Sequence, residues 1–337
     1  MHQPQFLPHL ARLPIMTGPD GRILLPGEQQ GGRRVEPVVE VVDLRKRYGK
    51  VVAVDGISFS VRRGEIFGIV GPNGAGKSTT VECLAGLREK DGGKVSVLGM
   101  DPLGDGRKLR ERIGVQLQEA ALPDDVKVWE ALDLYASFYG RSAGWEGLLQ
   151  QWGLGPKRNT RFENLSGGQK QRLFIALALV NQPELVFLDE ITSGLDPQAR
   201  RLTWGLVREI RARGATVLLV THSMEEAEKL CDRVAIIDDG RVVALDSPET
   251  LVREGDPEAS VRLEGVNGFD PAALHELDVV SRTEWEEDEL VVYGRGPLLA
   301  RVIVALDHHG FTPSGASAGR RSLEDVFVEK TGREVRD

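Results

Sequence analysis

The stretch Gly71–Thr79, with the sequence GPNGAGKST, constrains the fold of this chain more than any other feature. The pattern is typical of a phosphate-binding loop, in which glycines let backbone N–H groups approach phosphate oxygens. The apolar run Glu65–Val70 precedes it and predicts a buried strand, and a helix is expected from about Lys77 to about Arg88. The positive end of that helix would face the bound anion. An ordinary glycine-rich turn before a helix is the alternative, which this flanking sequence disfavours.

The side chains of this loop have separate predicted tasks. Lys77 would supply a point charge to the β and γ phosphates, and the Ser78 hydroxyl is suited to Mg²⁺. The loop by itself cannot separate a kinase, a GTPase and a transport ATPase. The predicted nucleotide contacts of the loop are Gly71, Pro72, Asn73, Gly74, Ala75, Gly76, Lys77, Ser78 and Thr79.

A second apolar run, Leu185–Glu190 with the sequence LVFLDE, supplies two acidic groups. Its four apolar residues predict a buried strand, and Asp189 at the tip can orient Mg²⁺, usually through water. Glu190 follows directly and is placed to polarise the attacking water as a general base. A core strand that ends in two surface acids is the alternative. It is common in general but rare in a chain that also carries a phosphate loop.

The pentapeptide Leu165–Gln169, with the sequence LSGGQ, lies between these two motifs. Ser166 and Gly168 would present a hydroxyl and N–H groups at the start of a helix, which makes a suitable anion site. A single chain can bind a nucleotide with the other two motifs alone, so this further phosphate-facing loop needs another role. A Gly-Gly turn capped by Ser166 is the alternative, which the surrounding motifs disfavour.

In this order, the motifs resemble the nucleotide-binding domain of ATP-binding cassette (ABC) transporters over about residues 38–250. The resemblance implies an α/β fold of the P-loop NTPase class, an ABC cassette with a parallel core sheet, an antiparallel β subdomain and a helical subdomain. It also implies that the chain binds and hydrolyses ATP with Mg²⁺ as cofactor.

The resemblance assigns roles to three more residues. Tyr48 matches the aromatic residue that stacks on adenine, although alone it would more often belong to a core. Gln118 matches the glutamine that reaches Mg²⁺ and the attacking water, and Gln116 is a nearby alternative. His222 matches the histidine that contacts the γ-phosphate and supports the base. The predicted catalytic residues are therefore Glu190, His222, Gln118 and Lys77, and the predicted metal ligands are Ser78, Gln118 and Asp189.

The same resemblance gives LSGGQ a role between two chains. In the family, this signature loop meets the γ-phosphate held by the other protomer, so that two ATP molecules lie in a head-to-tail dimer. A homodimer, or a heterodimer with a similar subunit, is therefore expected on ATP binding. The loop residues expected to act in trans are Leu165, Ser166, Gly167, Gly168 and Gln169, and those of the D-loop that crosses between protomers are Ser193, Gly194, Leu195 and Asp196.

Three residues depart from the family pattern. They bear on how the chain fits its partner, and none of them removes a catalytic group. Ile191 stands where Pro is usual, just after the base. Leu117 replaces a common Pro, and Lys127 occupies a position where Thr is frequent, in the segment near the membrane partner.

Composition limits the classes of partner. The net charge of −8 gives the whole molecule no electrostatic reason to bind nucleic acid. The two cysteines form no disulfide framework, which fits a reducing compartment. No apolar run approaches the roughly 20 residues that a membrane span needs. Composition therefore predicts a protein of a reducing compartment that works without nucleic acid. The resemblance implies in addition a cytoplasmic protein, peripheral on the inner face of the membrane, with a separate transmembrane permease subunit as partner.

Three stretches of different composition divide the chain. Residues 1–36 are rich in Pro, Gly and Gln and lack a sustained hydrophobic period, which predicts a flexible leader. Residues 37–250 are the predicted ABC ATP-binding domain. Residues 257–337 are predicted to form a small C-terminal accessory α+β domain. Its expected strands lie at 259–263, 278–283 and 289–294, and its expected helices at 271–276, 297–309 and 322–331.

Local periodicity predicts further elements of the cassette. Val38–Val42 and Ile57–Arg62 are predicted to be antiparallel strands with Tyr48 between them. Residues 119–170 are predicted to be mostly helical. The later part is expected to alternate strands with helices, which implies a parallel sheet wrapped by helices. The expected strands are Leu185–Asp189, Thr216–Val220 and Arg233–Asp238, and the expected helices are Pro197–Arg213 and Met224–Cys231.

The segment Ser322–Arg333 narrows the branch of the family. It resembles the tail of drug- and antibiotic-export ATPases of the daunorubicin-resistance type, with Leu323, Val326 and Phe327 on one helical face. A docking helix with no role beyond stability is the alternative. By this analogy, the chain powers an exporter of multidrug, antibiotic or other hydrophobic cargo through ATP-driven dimerisation. The second hypothesis is a non-transport ABC ATPase that acts on the ribosome or DNA, although such proteins usually carry two cassettes or long coiled coils.

Overall fold

A computed structural model describes residues 16–17, 23–24, 37–118, 120–139, 144–254, 259–319 and 321–333. The strands, in chain order, are β1 (Met16–Thr17), β2 (Ile23–Leu24), β3 (Pro37–Tyr48), β4 (Val51–Arg62), β5 (Ile66–Val70), β6 (Gly92–Val97), β7 (Ile113–Gln116), β8 (Leu185–Asp189), β9 (Thr216–Thr221), β10 (Arg233–Asp238), β11 (Arg241–Asp246), β12 (Ala259–Glu264), β13 (Val280–Glu286), β14 (Glu289–Gly294) and β15 (Gly315–Gly319). The predicted leader lies almost entirely outside the described residues.

The helices are, in the same order, α1 (Lys77–Leu84), α2 (Gly106–Arg110), α3 (Val128–Ser137), α4 (Trp145–Gln151), α5 (Gly167–Ala178), α6 (Pro197–Ala212), α7 (Met224–Leu230), α8 (Pro248–Arg253), α9 (Leu298–His308) and α10 (Leu323–Thr331). Short 3₁₀ segments occur at Gly155–Lys157, Phe162–Asn164 and Pro271–Glu276. In the described part of the chain, none of these helices combines the length and the apolar character needed to cross a membrane.

The central sheet has the strand order β11-β10-β5-β9-β8-β7. Neighbours from β10 to β7 run parallel, and β11 is an antiparallel edge. Every residue of β5, β8 and β9 is buried, as expected of strands covered by helices on both faces. The segments that follow β5, β9, β8 and β7 therefore meet at one edge of the sheet, where ligands of such folds bind.

A second, antiparallel sheet has the order β4-β3-β6 and packs against the first. Val39 of β3 pairs with Val61 of β4, which confirms the two predicted antiparallel strands, although both are longer than predicted. Phe59 stacks on Phe67 of β5 with ring centroids 5.2 Å apart, so the two sheets share one hydrophobic cluster. Tyr48 is the last residue of β3, whereas the sequence placed it between strands.

Helices α3, α4 and α5 form the predicted helical part. Leu132, Trp152 and Leu173 are fully buried in the cluster that these helices share with the central sheet. The helices are shorter than the periodicity of residues 119–170 suggested, because Gly153 and Pro156 interrupt the pattern and the chain there forms a 3₁₀ segment.

The C-terminal strands form a separate sheet with the order β13-β14-β12-β15 and α9 on one face. The sequence GASAG of β15 gave no strand signal, because it has neither β-branched nor aromatic residues. Helix α10 was predicted with this unit. Its apolar side chains Leu323, Val326 and Phe327 belong instead to the hydrophobic cluster of the cassette. The division of the chain into domains stays a prediction.

Candidate functional site

The loop after β5 is shaped by two glycines that leave no room for a side chain. A Cβ atom at Gly71 would lie 2.1 Å from the Ile237 carbonyl oxygen, and one at Gly76 would lie 2.3 Å from the Ala53 carbonyl oxygen. Gly76 also has a φ of +99° directly before α1, a conformation that L side chains rarely adopt. The loop is therefore held close to β4 and β10 while the start of α1 stays available to an anion.

Lys77 is buried in this loop. Its Nζ donates to the Pro72 carbonyl oxygen at 3.0 Å and lies 3.9 Å from Glu190 Oε1. Burial lowers the pKa of Lys77, and the nearby carboxylates of Glu190 and Asp189 oppose that shift. A buried ammonium group beside glycine N–H groups is suited to phosphate oxygens.

Asp189 stands at the carboxyl end of β8 and is 2% exposed. Burial raises its pKa to about 6, while a hydrogen bond with Ser78 and the charge of Lys77 act in the opposite direction. Oδ1 of Asp189 is buried and has no hydrogen-bond partner among the residues that the structure describes. A carboxylate oxygen without a partner beside a hydroxyl fits a hard cation such as Mg²⁺, which prefers oxygen ligands.

Glu190 is the point where the predicted catalytic side chains meet. Its Oε2 accepts hydrogen bonds from Gln118 Nε2 at 2.8 Å and from Ser193 Oγ at 3.3 Å. Its Oε1 lies 3.3 Å from His222 Nδ1 and 3.9 Å from Lys77 Nζ. One carboxylate therefore contacts side chains that follow β5, β7, β8 and β9.

The backbone of Glu190 has a φ of +50°, which is uncommon for any residue but glycine. Its N–H donates to the Val220 carbonyl oxygen of β9 at 2.9 Å, so the neighbouring strand holds this conformation. Such local strain concentrates at functional sites. Here it directs the Glu190 carboxylate off the end of β8 toward His222.

Of the two glutamines near β7, only one reaches this cluster. Gln116 is buried in the strand and donates to the Leu117 carbonyl oxygen at 2.8 Å. Gln118 follows in the turn, and its amide donates to Glu190.

The signature loop forms the start of α5. Ser166 Oγ accepts from the Gln169 N–H at 3.4 Å, and Gln169 Oε1 accepts from the Ser166 N–H at 3.0 Å. Gly168 lies against α6, because a Cβ there would be 3.4 Å from Cβ of Ala199. Across the described ranges, no hydrogen bond or ion pair joins Leu165–Gln169 to Lys77 or Glu190. Its Ser166 and Gln169 side chains instead cap the start of α5.

The D-loop connects the cluster to α6. Ser193 contacts Glu190, and Gly194 adopts a φ of +71°. Asp196 caps α6, because its Oδ1 accepts from the N–H groups of Gln198 and Ala199, both at 2.9 Å.

Tyr48 lies apart from the Glu190 cluster and is 40% exposed. The Arg88 guanidinium lies 5.1 Å and Lys46 Nζ lies 5.7 Å from its ring centroid. Lys46 is also paired with Asp91 at 2.9 Å. The ring thus presents an exposed π-surface with cations beside it.

Sequence reasoning missed a second buried cluster, which includes Thr192 of the turn after Glu190. Thr192 and Trp204 both donate to the fully buried carboxylate of Glu226. The only local signal was Ser223–Glu226, which has the pattern of a capping box. Ser223 does accept from the Glu226 N–H, but the Glu226 side chain points into the core instead of returning to the Ser223 N–H.

The fold and the site define a class before any comparison. A sheet that brings a phosphate loop, the buried Asp189 and the Glu190 carboxylate to the carboxyl edge of its parallel strands is that of a phosphate-loop nucleotide-binding protein. Comparisons then give the family. A sequence profile described as "ABC transporter" matches residues 54–193.

Two relatives carry the name "Nod factor export ATP-binding protein I". The one from Ralstonia nicotianae is 40% identical over 310 residues, which are 89% of this chain and 96% of the relative. The one from Burkholderia orbicola is 41% identical over 308 residues, which are 89% and 98% of the two chains. The chain therefore belongs to the ABC transporter family, as an ATP-binding and ATP-hydrolysing subunit in the branch that contains these export proteins. That membership implies a partner membrane component.

Solved structures agree with this assignment. One described as "Structure of ATP binding subunit of ABC transporter" is 32% identical, with a TM-score of 0.59, and the match covers 64% of this chain and 92% of the other. A second, cbiO1 from Clostridium perfringens, described as part of the ABC transporter complex cbiONQ, is 27% identical with a TM-score of 0.58, and covers 65% and 91%. The predicted fold class is confirmed, and an ABC ATPase acting on ribosomes or DNA is not favoured.

Proposed function

We propose that this chain is the ATP-hydrolysing subunit of a membrane exporter and that Glu190 is its general base. The observation that carries the assignment of the base is the convergence of Gln118, His222 and Lys77 on the Glu190 carboxylate. The names of the relatives support the direction of transport.

The side chains of the site can divide the reaction between them. Lys77 brings a buried positive charge to the phosphates. Glu190 accepts the proton of the attacking water, while Gln118 and His222, one beside each carboxylate oxygen, fix its direction. Ser78 and Asp189 would hold Mg²⁺. When bound with ATP, Mg²⁺ neutralises charge that develops on the transferred phosphoryl group.

A second copy of the chain, or a similar subunit, would complete each site. In the described residues, no hydrogen bond or ion pair joins the signature loop to Lys77 or Glu190, yet the loop forms the start of a twelve-residue helix. A helix start of this length favours an anion. We therefore propose a head-to-tail dimer in which Ser166 and Gly168 meet the γ-phosphate held by the other protomer.

The proposed location is the cytoplasmic face of the membrane, beside a separate transmembrane permease. The proposed cargo class is drug-like, antibiotic or otherwise hydrophobic. Selection of the cargo belongs to the membrane subunit, because the motifs of this chain concern ATP.

Substitution of the base tests the proposal directly. Glu190→Gln should lower kcat for ATP hydrolysis by about 100-fold or more, the usual contribution of a general base, while ATP affinity is retained. Glu225→Gln is the matched control, since the side chain of Glu225 is 60% exposed. A Glu190→Gln variant with substantial turnover would exclude Glu190 as the base.

Capture of partners tests the transport role. The Glu190→Gln variant, isolated from native membranes with ATP, should bring a polytopic membrane protein with it. Ribosomes or DNA in place of a membrane protein would contradict the exporter assignment.

A further inference from the structure

A buried carboxylate lies behind the catalytic cluster and has no assigned task. Glu226 on α7 is 0% exposed. Its Oε1 accepts hydrogen bonds from Thr192 Oγ1 and Trp204 Nε1, both at 2.9 Å. Its Oε2 is buried without a hydrogen-bond partner in the described part of the chain. Burial of an acid with only two neutral donors costs free energy, and an apolar side chain would avoid that cost.

The two donors come from the segments that carry the base and the D-loop. Thr192 lies two residues after Glu190, in a turn where the Ser193 N–H donates to the Glu190 carbonyl oxygen at 3.2 Å. Trp204 lies on α6, the helix that the D-loop residue Asp196 caps.

Glu226 itself belongs to the segment that carries the histidine. Helix α7 begins at Met224, two residues after His222, and Ser223 between them is its N-cap. A single carboxylate oxygen of Glu226 on α7 thus joins the turn after β8, through Thr192, to the middle of α6, through Trp204.

We propose that Glu226 is a positioning residue for ATP hydrolysis, which fixes the turn after Glu190 relative to His222. This proposal rests on the proposed role of Glu190 as the base. The φ of +50° at Glu190 is strained and persists only while its surroundings hold it. The Thr192–Glu226 bond holds the following residues against α7. Without it, the turn can relax, and the Glu190 carboxylate leaves its position 3.3 Å from His222 Nδ1.

This role differs measurably from a purely structural one. The phosphate loop contributes no hydrogen bond to Glu226 among the described residues, so loss of the network should leave ATP affinity unchanged. A misplaced base lowers kcat selectively, since positions of reacting groups matter at the level of about 1 Å. A residue that only stabilised the core would lower the free energy of unfolding without a selective effect on kcat.

The experiment measures kcat, the KM for ATP and the melting temperature of the full chain with paired substitutions. Thr192→Val removes one donor, and Trp204→Phe removes the other. Thr203→Val is the control for the first, because Thr203 is also buried and donates only to the Ala199 carbonyl oxygen of its own helix, at 3.0 Å. Trp152→Phe is the control for the second, because the buried Trp152 Nε1 has no hydrogen-bond partner in the described residues.

We expect Thr192→Val and Trp204→Phe each to lower kcat by about tenfold, the effect of losing one hydrogen bond to a charged group, with KM within about twofold of wild type. The controls should keep kcat within about twofold while losing similar thermal stability. Thr192→Ser keeps the hydroxyl donor, and Glu226→Gln keeps the acceptor oxygen. Each of these single variants should therefore have a kcat within about threefold of wild type.

The proposal is overturned if Thr192→Val and Thr203→Val have the same kcat, or if Glu226→Gln is as slow as Thr192→Val. Should Thr192→Val fail to fold, the comparison of Trp204→Phe with Trp152→Phe decides in the same way.

The Glu190→Gln variant separates the test of the positioning role from the test of the base. If Glu190→Gln abolishes turnover while the Glu226 network leaves kcat unchanged, only the positioning role fails. If Glu190→Gln retains turnover, the base assignment fails.

Discussion

Burial of the Asp189 carboxyl group makes its ionisation unfavourable in the folded chain. Burial raises its pKa to about 6, from an ordinary value of 3.8. Because one pKa unit corresponds to about 1.4 kcal/mol, ionisation of Asp189 costs about 3 kcal/mol more in the folded chain than in the unfolded chain. The contribution of the protonated Asp189 to the free energy of unfolding is fully present below pH 3.8, the ordinary pKa of the group. This contribution is lost as the pH rises through about 6, the pKa in the folded chain. A bound cation would remove this cost, which couples metal binding to the stability of the β8 edge.

Asp189→Asn should remove this pH dependence. In the absence of metal and nucleotide, we expect the variant to gain stability relative to wild type as the pH increases, by about 1 kcal/mol between about pH 5 and about pH 7.5. Urea denaturation at both pH values with a chelator present measures the difference. Parallel pH profiles for the two proteins would show that Asp189 is not the group responsible.

At the scale of single residues, the sequence indicated which positions carry candidate site residues better than it indicated which side chains contact each other. The LVFLDE motif indicated Glu190, and the family resemblance indicated Gln118 and His222. The structure brings these side chains together because the parallel strands that precede them end at the same edge. Glu226 could not be predicted, because its spacing from Ser223 also fits a capping box, which is local. Its contacts with Thr192 and Trp204 depend on how α6 and α7 pack.

Helix α10 belongs to the C-terminal segment but packs against the cassette. Leu323, Val326 and Phe327 lie on one face and are each at most 1% exposed, packed in the cluster that also holds residues of α7 and α8. The N–H of Leu323 donates to the Glu228 carboxylate of α7, which anchors the start of the helix. Helix α10 therefore covers apolar surface behind the segment that carries His222.

Truncation of this face should destabilise the chain strongly. We expect Phe327→Ala to lower the free energy of unfolding by about 3–5 kcal/mol, because it removes a buried ring and leaves a cavity. Val328→Ala on the same helix, at a position that is 37% exposed, should cost about 0.5 kcal/mol or less. Equal small losses in urea denaturation would mean that α10 does not pack on the cassette in solution.

Elements were predictable where one local signal dominated. The fully buried β5, β8 and β9 were predicted to within about one residue, because their mainly apolar runs fit strands covered on both faces. Helix α1 ends at Leu84, earlier than predicted, and the chain then turns through Gly86 at a φ of +69°. The assignment of α10 to the cassette could not come from sequence, since amphipathicity shows that a face is buried but not what buries it.

At the scale of the whole molecule, the two surfaces proposed to contact phosphate share no hydrogen bond or ion pair among the described residues. Lys77 and Glu190 belong to one, at the edge of the central sheet, and Ser166 to the other, at the start of α5. In the proposed head-to-tail dimer, each surface would meet the complementary one, and symmetry would give two equivalent sites. Each such site then needs Lys77 from one protomer and Ser166 from the other.

Mixing two inactive variants tests this arrangement. Lys77→Ala and Ser166→Ala homodimers each have two damaged sites, whereas the mixed dimer has one intact site and one doubly damaged site. Because random pairing makes half of the dimers mixed, an equimolar mixture should recover about a quarter of wild-type ATPase activity if the sites work independently. The control is Lys77→Ala mixed with the Lys77→Ala/Ser166→Ala double variant, which cannot form an intact site. Activity in the first mixture that does not exceed that of the control would mean that each chain builds its site alone, and the signature loop would then need a different role.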